Sequence, residues 1–246
     1  MKNTLMSIIL SAISVGATES ALSGKEILDQ MKKATVAKDR QVLATMTITD
    51  RNGRIQTRTM DLMTKGDKKI LVTFTSPAEL RGVTFMTTSS ENMWIYLPAQ
   101  ARVRRISGSM VNQSFGGSDF SYKEMTNISY ALDDKVEKVE KVTFKEKPTY
   151  LLTLSEANNP NQHSKLWVEK ENFLPLQLEK LDKNGEIIKR VIFNDFVQEG
   201  SVWIPKLIQL QDLTKNSRTE IKVTEFQLNT GIKDNMFTES NMKRGG

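Results

Sequence analysis

Hydrophobic and polar residues alternate along most of this chain with a period of two. In residues 44–50, ATMTITD, an apolar side chain follows every second position, and this period predicts a half-buried β-strand. About eleven segments of this kind follow one another along the chain. The pairs Asn52-Gly53 and Asn184-Gly185 lie between such segments and predict hairpin turns. The pattern therefore indicates successive antiparallel hairpins.

One helix is predicted ahead of the strands. Ser23 and Glu26 have the spacing of a capping box, and apolar residues follow at helical spacing as far as Met31. A short C-terminal helix, capped by Asp234, is also predicted. Because no strand-helix-strand rhythm occurs, we expect a mainly β fold with a few helices, built on a single strongly curved antiparallel sheet.

The N-terminus has the pattern of a secretory signal peptide. Lys2 precedes an apolar run over residues 5–15, and small residues end at Ala17. The run is shorter than the roughly 20 residues of a membrane-spanning helix; the alternative is a buried N-terminal helix. We predict a signal peptide at residues 1–17, cut there or a few residues later, and a single domain at 18–246. No cysteine follows the run, so we expect a protein that is soluble outside the cytoplasm and has no lipid anchor.

Charge and side-chain chemistry narrow the function classes. The formal net charge of +6 is spread over interspersed acids and bases, which indicates solvated strand faces and no nucleic-acid partner. The chain has no cysteine, and its one histidine, His163, lies in a polar segment. Asp133 and Asp134 are adjacent, so their side chains diverge on a strand. We therefore predict no catalytic residue, no metal site and no cofactor, although a hydrolase built on His163 remains the alternative.

An arginine- and glycine-rich stretch, residues 102–122, interrupts the strand pattern. Its segment FGGSDF lacks the spacing of a phosphate-binding loop. Glycine there permits a tight turn, and Ser118 or Asp119 is positioned to cap a short helical turn after it.

Residues 94–125 resemble the hallmark of the outer-membrane lipoprotein-sorting protein family, the LolA-like group of Gram-negative periplasmic proteins. The matching residues are Tyr96, Leu97, Pro98, Arg102, Arg104, Arg105, Phe115, Gly117, Ser118, Asp119, Phe120, Tyr122 and Glu124. The resemblance implies a half-open β-barrel in which helices cover a hydrophobic cavity that shields acyl chains. It also implies lipid or lipoprotein acyl chains as ligand, an inner-membrane transporter as partner and transient contacts at membranes. The chain is longer than the lipoprotein carrier itself and adds the arginine-rich stretch, so a different lipid is an alternative cargo.

Inward-facing apolar residues of the predicted strands are the candidates for lining such a cavity. They are Met46, Ile48, Val72, Phe74, Phe85, Trp94, Tyr96, Leu152, Val191 and Phe193. The alternative for each is a place in a closed core.

The three arginines of the stretch have two interpretations. Guanidinium groups bind phosphate or carboxylate in a bidentate manner, so Arg102 and Arg104 are candidates to hold an anionic head group. Alternatively, an arginine pairs with an acid of the same stretch and fixes the loop. We favour Arg105 as the buried partner of Asp119, with the whole stretch lying as a belt across the barrel.

Three functions are compatible with these features. The first is a periplasmic carrier of acyl chains. The second is an envelope sensor or binding module of the same fold that acts through a protein partner. The third, a hydrolase, would need a working base.

Overall fold

Thirteen strands form one antiparallel sheet within the residues that the computed structural model describes, which are 22–89, 91–126, 132–156 and 159–244. The strands are β1 (Asp39–Thr49), β2 (Ile55–Lys65), β3 (Lys69–Ser76), β4 (Thr84–Ser89), β5 (Asn92–Leu97), β6 (Arg102–Ile106), β7 (Lys135–Phe144), β8 (Lys147–Glu156), β9 (Asn159–Glu169), β10 (Pro175–Leu181), β11 (Ile187–Glu199), β12 (Val202–Asp212) and β13 (Ser217–Leu228). The predicted signal peptide lies outside the described residues.

The strand order is β6-β5-β4-β3-β2-β1-β13-β12-β11-β10-β9-β8-β7. Every strand except β1 and β13 pairs only with its neighbours in sequence, and those two pair with each other. The sheet does not close, because β6 and β7 are its two edges. The predicted mainly β fold, a strongly curved sheet in a half-open barrel, is confirmed. The chain must therefore cross from one edge to the other between residues 106 and 135.

The two predicted hairpins are confirmed, and they share one turn chemistry. Asn52 and Gly53 join β1 to β2, and the Asp50 Oδ1 atom accepts the N–H groups of Asn52 and Arg54 at 2.8 and 2.9 Å. Asp182 does the same at the β10–β11 turn, where both distances are 2.9 Å. Each turn places its glycine at positive φ, which costs other residues strain.

The strand that the sequence interpretation missed is β6. Its five residues, RVRRI, pair with β5 from Met93↔Ile106 to Leu97↔Arg102. Only one residue of the five, Ile106, is buried, because an edge strand has solvent on one side. The periodic apolar pattern is therefore absent, although the strand is present.

Helix α1 (Gly24–Thr35) packs on the inner face of the sheet. Its predicted capping box is confirmed, since the Ser23 hydroxyl accepts from the Glu26 N–H and Glu26 accepts from the Ser23 N–H. The buried side chains of α1 belong to one apolar cluster with residues of β8, β9 and β11, and α1 also lies against β7 and β12. Gly24 permits the approach to β7, because a Cβ atom there would lie 2.3 Å from Val136 Cγ1. The predicted helix is thus an internal cover for half of the sheet.

The connection between β6 and β7 covers the other half of the inner face. We call residues 113–126 the crossing segment; it ends in helix α2 (Tyr122–Thr126). The Phe115 ring is 1% exposed and lies 5.2 Å from the Phe74 ring and 5.6 Å from the Phe85 ring. The belt that the sequence suggested is therefore a core element.

A smaller apolar cluster lies on the outer face of β3 to β5. Helix α3 (Glu239–Met242) and Phe237 cover Leu71 and Met86 there. The predicted capping of a C-terminal helix by Asp234 is wrong: that residue begins a 3₁₀ turn, and α3 is capped by Thr238. No helix in the described ranges is long and apolar enough to cross a membrane.

Truncating Phe115 tests whether the crossing segment belongs to the core. We expect Phe115→Ala to lower the free energy of unfolding by about 3–5 kcal/mol, as for other buried aromatic residues. Phe144→Ala is the matched control, because Phe144 is half-buried on β7 against Trp167. Denaturant unfolding measures both variants. Equal losses would contradict a core role for Phe115.

Candidate functional site

A cavity of about 130 Å³ lies on the inner face of the sheet, between the crossing segment and the apolar residues beneath α1. Strands β1, β2 and β10 to β13 and the crossing segment supply its apolar lining. These residues are Val42, Ala44, Met60, Leu62, Phe120, Met125, Leu178, Val191, Phe193, Ile204, Pro205, Ile208, Leu210, Ile221 and Val223. The volume is near that of an engineered apolar cavity of roughly 150 Å³ that binds benzene. As it stands, the cavity fits a short stretch of hydrocarbon.

Polar side chains gather at part of the cavity wall. They are Arg40, Glu124, Asp134, Glu156, Gln162, His163, Ser164 and Lys180. Lys123 holds Glu156 in an ion pair of 2.9 Å. The Ser155 hydroxyl, opposite His163 in the β8–β9 register, donates to Glu137 at 2.7 Å. Ser155 is therefore engaged away from His163. Among the described residues, no group of three or more histidines or acids is placed to hold a metal ion.

Glu124 holds the C-terminal end of the crossing segment against strands β10 and β11. Its carboxylate pairs with Lys189 of β11 at 2.9 Å and with Lys180 of β10 at 3.2 Å. It also accepts the N–H of Ser121, whose hydroxyl accepts the Glu124 N–H in return. Ser121, and not Ser118 or Asp119 as predicted, thus caps α2.

The charge of Glu124 is stabilised in the folded protein. Burial raises the pKa of this carboxyl, but the charges of Lys180 and Lys189, the Lys189 hydrogen bond and the Ser121 N–H outweigh burial and lower the pKa to about 2. The side chain is only 13% exposed, so solvent screens these interactions weakly. Glu124 therefore remains ionised at the polar part of the cavity wall throughout the physiological pH range.

Asp119 fixes the middle of the crossing segment on β13. Its carboxylate accepts the hydroxyls of Ser217 at 2.6 Å and Thr219 at 2.8 Å, and its N–H donates to the Thr219 hydroxyl oxygen at 3.0 Å. The predicted Arg105–Asp119 pair is wrong. Arg105 is exposed on β6 and donates to Asn92 at 3.0 Å. The reason is topological, because the segment carries Asp119 away from the β6 edge as far as β13.

Other backbone groups of the crossing segment also find side-chain or local partners. Arg58 of β2 donates to the Gly116 carbonyl at 2.9 Å, and Lys189 donates to the Asp119 carbonyl at 2.7 Å. The Phe120 N–H donates to the Ser118 hydroxyl at 3.2 Å. A buried connection lacks the hydrogen-bond ladder of a strand, so its polar groups need these partners.

Of the ten predicted lining residues, Val191 and Phe193 line the cavity. The structure places the others in three regions. Met46, Ile48, Val72, Phe74 and Phe85 pack in the core that contains Phe115, and Leu152 packs beneath α1. Trp94 and Tyr96 lie on the outer face, against the cluster under α3. The outward direction of Trp94 and Tyr96 follows from the strand register. Trp94 pairs with Met86, which belongs to that outer cluster.

The predicted belt residues lie in two separate places. Arg102, Arg104 and Arg105 are exposed on β6. The later members belong to the crossing segment: Phe115, Ser118, Asp119 and Phe120 are buried, Tyr122 packs against Phe85 and Phe115, and Gly117 adopts a φ of 80°. Phe120 also lines the cavity.

Sequence reasoning missed most of the lining. Val42 and Ala44 share the face of Met46 on β1, and Ile221 and Val223 alternate in the same way on β13. Alternation therefore identifies the inward residues. It does not tell which of them the crossing segment covers and which remain beside the cavity, because that depends on contacts distant in sequence.

Comparison with known proteins supports the same architecture. A family model with the description "-like: Uncharacterized protein" matches residues 66–244, more than half of the chain. A solved domain from Vibrio parahaemolyticus, named as a candidate outer-membrane lipoprotein-sorting protein, superposes with a TM-score of 0.82 at 23% identity and covers 90% of this chain and 98% of its own. The chain belongs to the matched family and has the LolA-like fold.

Two further structures share the LolA-like fold. A DUF1329 family protein from Desulfovibrio piger gives a TM-score of 0.79 at 24% identity, covering 89% of this chain and 97% of its own. A LolA superfamily protein from Nitrosomonas europaea gives 0.72 at 18%, covering 89% and 99%. No curated protein matches the sequence. The resemblance inferred from residues 94–125 is confirmed at the level of the LolA-like fold.

Replacing Asp119 distinguishes its two proposed partners. We expect Asp119→Asn to lower the free energy of unfolding by about 1–3 kcal/mol, because an amide nitrogen would face a buried hydroxyl donor. Arg105→Ala should change it by less than about 0.5 kcal/mol, as at other exposed positions. Chemical denaturation measures both. Equal losses of unfolding free energy in the two variants would favour the Arg105–Asp119 pair over the observed hydrogen bonds of Asp119 with Ser217 and Thr219.

The stability contribution of Glu124 should depend on pH in a defined window. Its pKa is lowered from 4.5 to about 2 on folding, so the contribution is complete above about pH 5 and is lost as the pH falls toward 2. We expect Glu124→Gln to lower the unfolding free energy by about 3 kcal/mol at pH 7 and little at pH 2.

Glu140→Gln is the matched control for that titration, because Glu140 forms an exposed pair with Lys138. Its effect should be small at every pH, as for other surface pairs. A Glu124→Gln effect that is the same at pH 7 and pH 2 would contradict the assigned pairing.

Proposed function

We propose that this protein is a periplasmic carrier that shields acyl chains of a lipoprotein or another lipid during transport across the envelope, without catalysing a reaction. The observation that carries the proposal is the apolar cavity on the inner face of an open sheet, beside the crossing segment. Residues 1–17 would direct export and be removed. An inner-membrane transporter that loads the cavity is the expected partner.

The energetics of acyl chains explain why such a site is useful. Moving a chain of about 16 carbons from an apolar phase into water costs roughly 12 kcal/mol, at about 0.8 kcal/mol per methylene. A carrier must replace most of the apolar contacts that the chain loses. Side chains that line the inner face of a half-open barrel supply such contacts, since alternate residues of every strand point inward.

Loading a whole acyl chain requires the cavity to widen. Its volume of about 130 Å³ is below the roughly 300–1,000 Å³ of typical ligand sites. The crossing segment is fixed by Asp119 and Glu124. Helix α1 packs beside the cavity, mainly through apolar side chains, and has two polar links to the sheet: the pair of Lys32 with Asp67 and the hydrogen bond from Arg40 to the Thr35 carbonyl at 2.8 Å. We therefore propose that α1 moves aside to widen the cavity. Apolar contacts can be exchanged for acyl-chain contacts at little cost, unlike buried ion pairs.

Filling the cavity tests the site directly. We expect Ala44→Leu to reduce bound lipid at least about tenfold while it preserves or raises the melting temperature, because it fills apolar space. Native mass spectrometry and lipid extraction on protein purified from a Gram-negative periplasm without detergent measure the bound lipid. Thermal shifts with added lipids and lipopeptides measure binding to the empty protein.

Thr45→Leu is the matched control, since Thr45 is the next residue of β1 and lies half-exposed on the other face. It should retain lipid as the unsubstituted protein does. An empty protein that gains no thermal stability from lipids or lipopeptides would overturn the carrier proposal and favour a protein-binding module. Equal binding by both variants would place the ligand outside this cavity.

A further inference from the structure

Five exposed arginines lie along one rim of the barrel. Arg51 and Arg54 are in the β1–β2 turn, Arg81 in the β3–β4 loop, Arg102 at the start of β6 and Arg218 at the start of β13. Antiparallel pairing brings these strand ends to the same rim. The ends of β1 and β3 lie at this rim, and so do the beginnings of β2, β4, β6 and β13.

The charges of these arginines are not neutralised within the described residues. One arginine takes part in the ion pairs found there, and it is Arg190, which contacts Glu179. The nearby Asp50 carboxylate accepts N–H groups of its own turn, and the Asp212 carboxylate does the same and also pairs with Lys215 at 3.0 Å. The five rim arginines are therefore exposed and outside the ion pairs of the described residues, which leaves their guanidinium groups accessible to an anion.

The opposite rim has a different charge arrangement. Three of its lysines are paired with acids: Lys68 contacts Asp133 at 3.4 Å, and Lys65 and Lys69 contact Asp234 at 3.2 and 2.5 Å. These lysines differ in this respect from the five rim arginines.

Two exposed apolar side chains accompany the arginines. Ile55 is 63% exposed and Leu213 is 45% exposed, and they stand at the adjacent β1–β2 and β12–β13 hairpins. Thr49 pairs with Ile55 on one side and with Arg218 on the other. Residues opposite each other share a face of the sheet, so Ile55 and Arg218 lie on one face, about 10 Å apart.

We propose that this arginine rim is a docking surface for a membrane rich in anionic phospholipid. Phosphate head groups suit guanidinium forks, and Ile55 and Leu213 are placed to enter the interface beside them. Basic residues attract anionic bilayers, and neighbouring apolar residues add burial at the head-group boundary. Docking by the hairpin tips would bring the carrier to a bilayer without using the cavity.

Protection of a free sheet edge does not explain this arrangement. Charged side chains on edge strands oppose edge-to-edge aggregation, and Arg102 on β6 fits that purpose. Arg51 and Arg54 lie instead in the turn between β1 and β2, and Arg218 lies on β13; all three strands are inside the sheet and have paired edges.

Vesicle flotation tests the proposal with the whole protein. The vesicles contain phosphatidylcholine with about one third phosphatidylglycerol, or phosphatidylcholine alone, at about 0.1 and 1 M salt, where the Debye length falls from roughly 10 to 3 Å. We expect partition into the anionic vesicles only, and mainly at low salt. The double variant Arg51→Gln/Arg54→Gln should lower that partition about 30-fold, or about fivefold for each charge.

Two controls separate the rim from net charge and from the cavity. Lys141→Gln/Lys233→Gln removes the same charge from exposed positions on β7 and near the C-terminus and should leave partition within about twofold. Ala44→Leu should also dock normally, so failure of the cavity proposal and failure of the rim proposal are distinguishable.

A fluorescent label reports insertion. The chain contains no cysteine, so an environment-sensitive dye can be attached uniquely through Ile55→Cys, or through Val197→Cys on the exposed part of β11 as control. Only the label at residue 55 should shift to the blue with anionic vesicles.

Equal partition of the Arg51→Gln/Arg54→Gln and Lys141→Gln/Lys233→Gln variants would overturn the rim assignment. An unchanged label at residue 55 would do so as well. Absence of vesicle binding, together with arginine-dependent binding to polyglutamate, would identify an acidic protein as the partner and overturn the membrane assignment.

Discussion

The connection from β6 to β7 is the constraint on which the rest of this fold depends. Consecutive strands pair throughout the sheet except at this step, where the chain leaves one edge and begins again at the other. The connection passes over the inner face, where Phe115, Phe120 and Met125 pack in the core with residues of β1 to β5. A loop that is buried in this way needs partners for its polar groups. Asp119 and Glu124 meet that need, and they thereby fix where the segment lies.

The same constraint creates the cavity. The crossing segment covers the inner face with Phe115 and Phe120, while α1 covers the region of β8, β9 and β11. The two covers differ in their attachment. The crossing segment is held by buried charges that are costly to separate. Helix α1 is held mainly by apolar contacts, with the Lys32–Asp67 pair and the Arg40–Thr35 hydrogen bond at its C-terminal half. Displacement of α1 would therefore separate fewer buried charges than displacement of the crossing segment.

The local patterns of the sequence were sufficient for the fold and insufficient for the site. Alternation, two Asn-Gly turns and the Ser23–Glu26 capping box depend on neighbours within a few residues, and the structure contains all of them. Partner choice for Asp119 depends instead on Ser217 and Thr219, about one hundred residues away. Nothing in the local pattern distinguishes them from Arg105. The family resemblance identified the crossing segment as a unit, but not the strands beneath it.

The inward or outward direction of a side chain posed a different problem. Trp94 and Tyr96 have the apolar character of lining residues, yet they face outward because an outer cluster around Leu71 and Met86 needs cover on that side as well. A sheet with apolar residues on both faces gives strands without a clean alternation. Strand β4 is an example, because its first four residues are all buried. In such segments the sequence predicts a strand but does not tell which of its side chains face the inside of the barrel.

Charged side chains of this protein occur in two environments, one buried and paired and the other exposed and outside any ion pair of the described residues. Buried acids are paired with lysines and hydroxyls and hold the crossing segment, whereas the rim arginines contact no acid of the described chain. A paired charge in a desolvated place stabilises one conformation, and an unpaired charge in water contributes little to folding. Stability therefore does not account for a concentration of arginines at the hairpin tips beside exposed Ile55. The anionic membrane surface that we propose would account for both the arginines and the exposed Ile55, and docking there would not occupy the cavity.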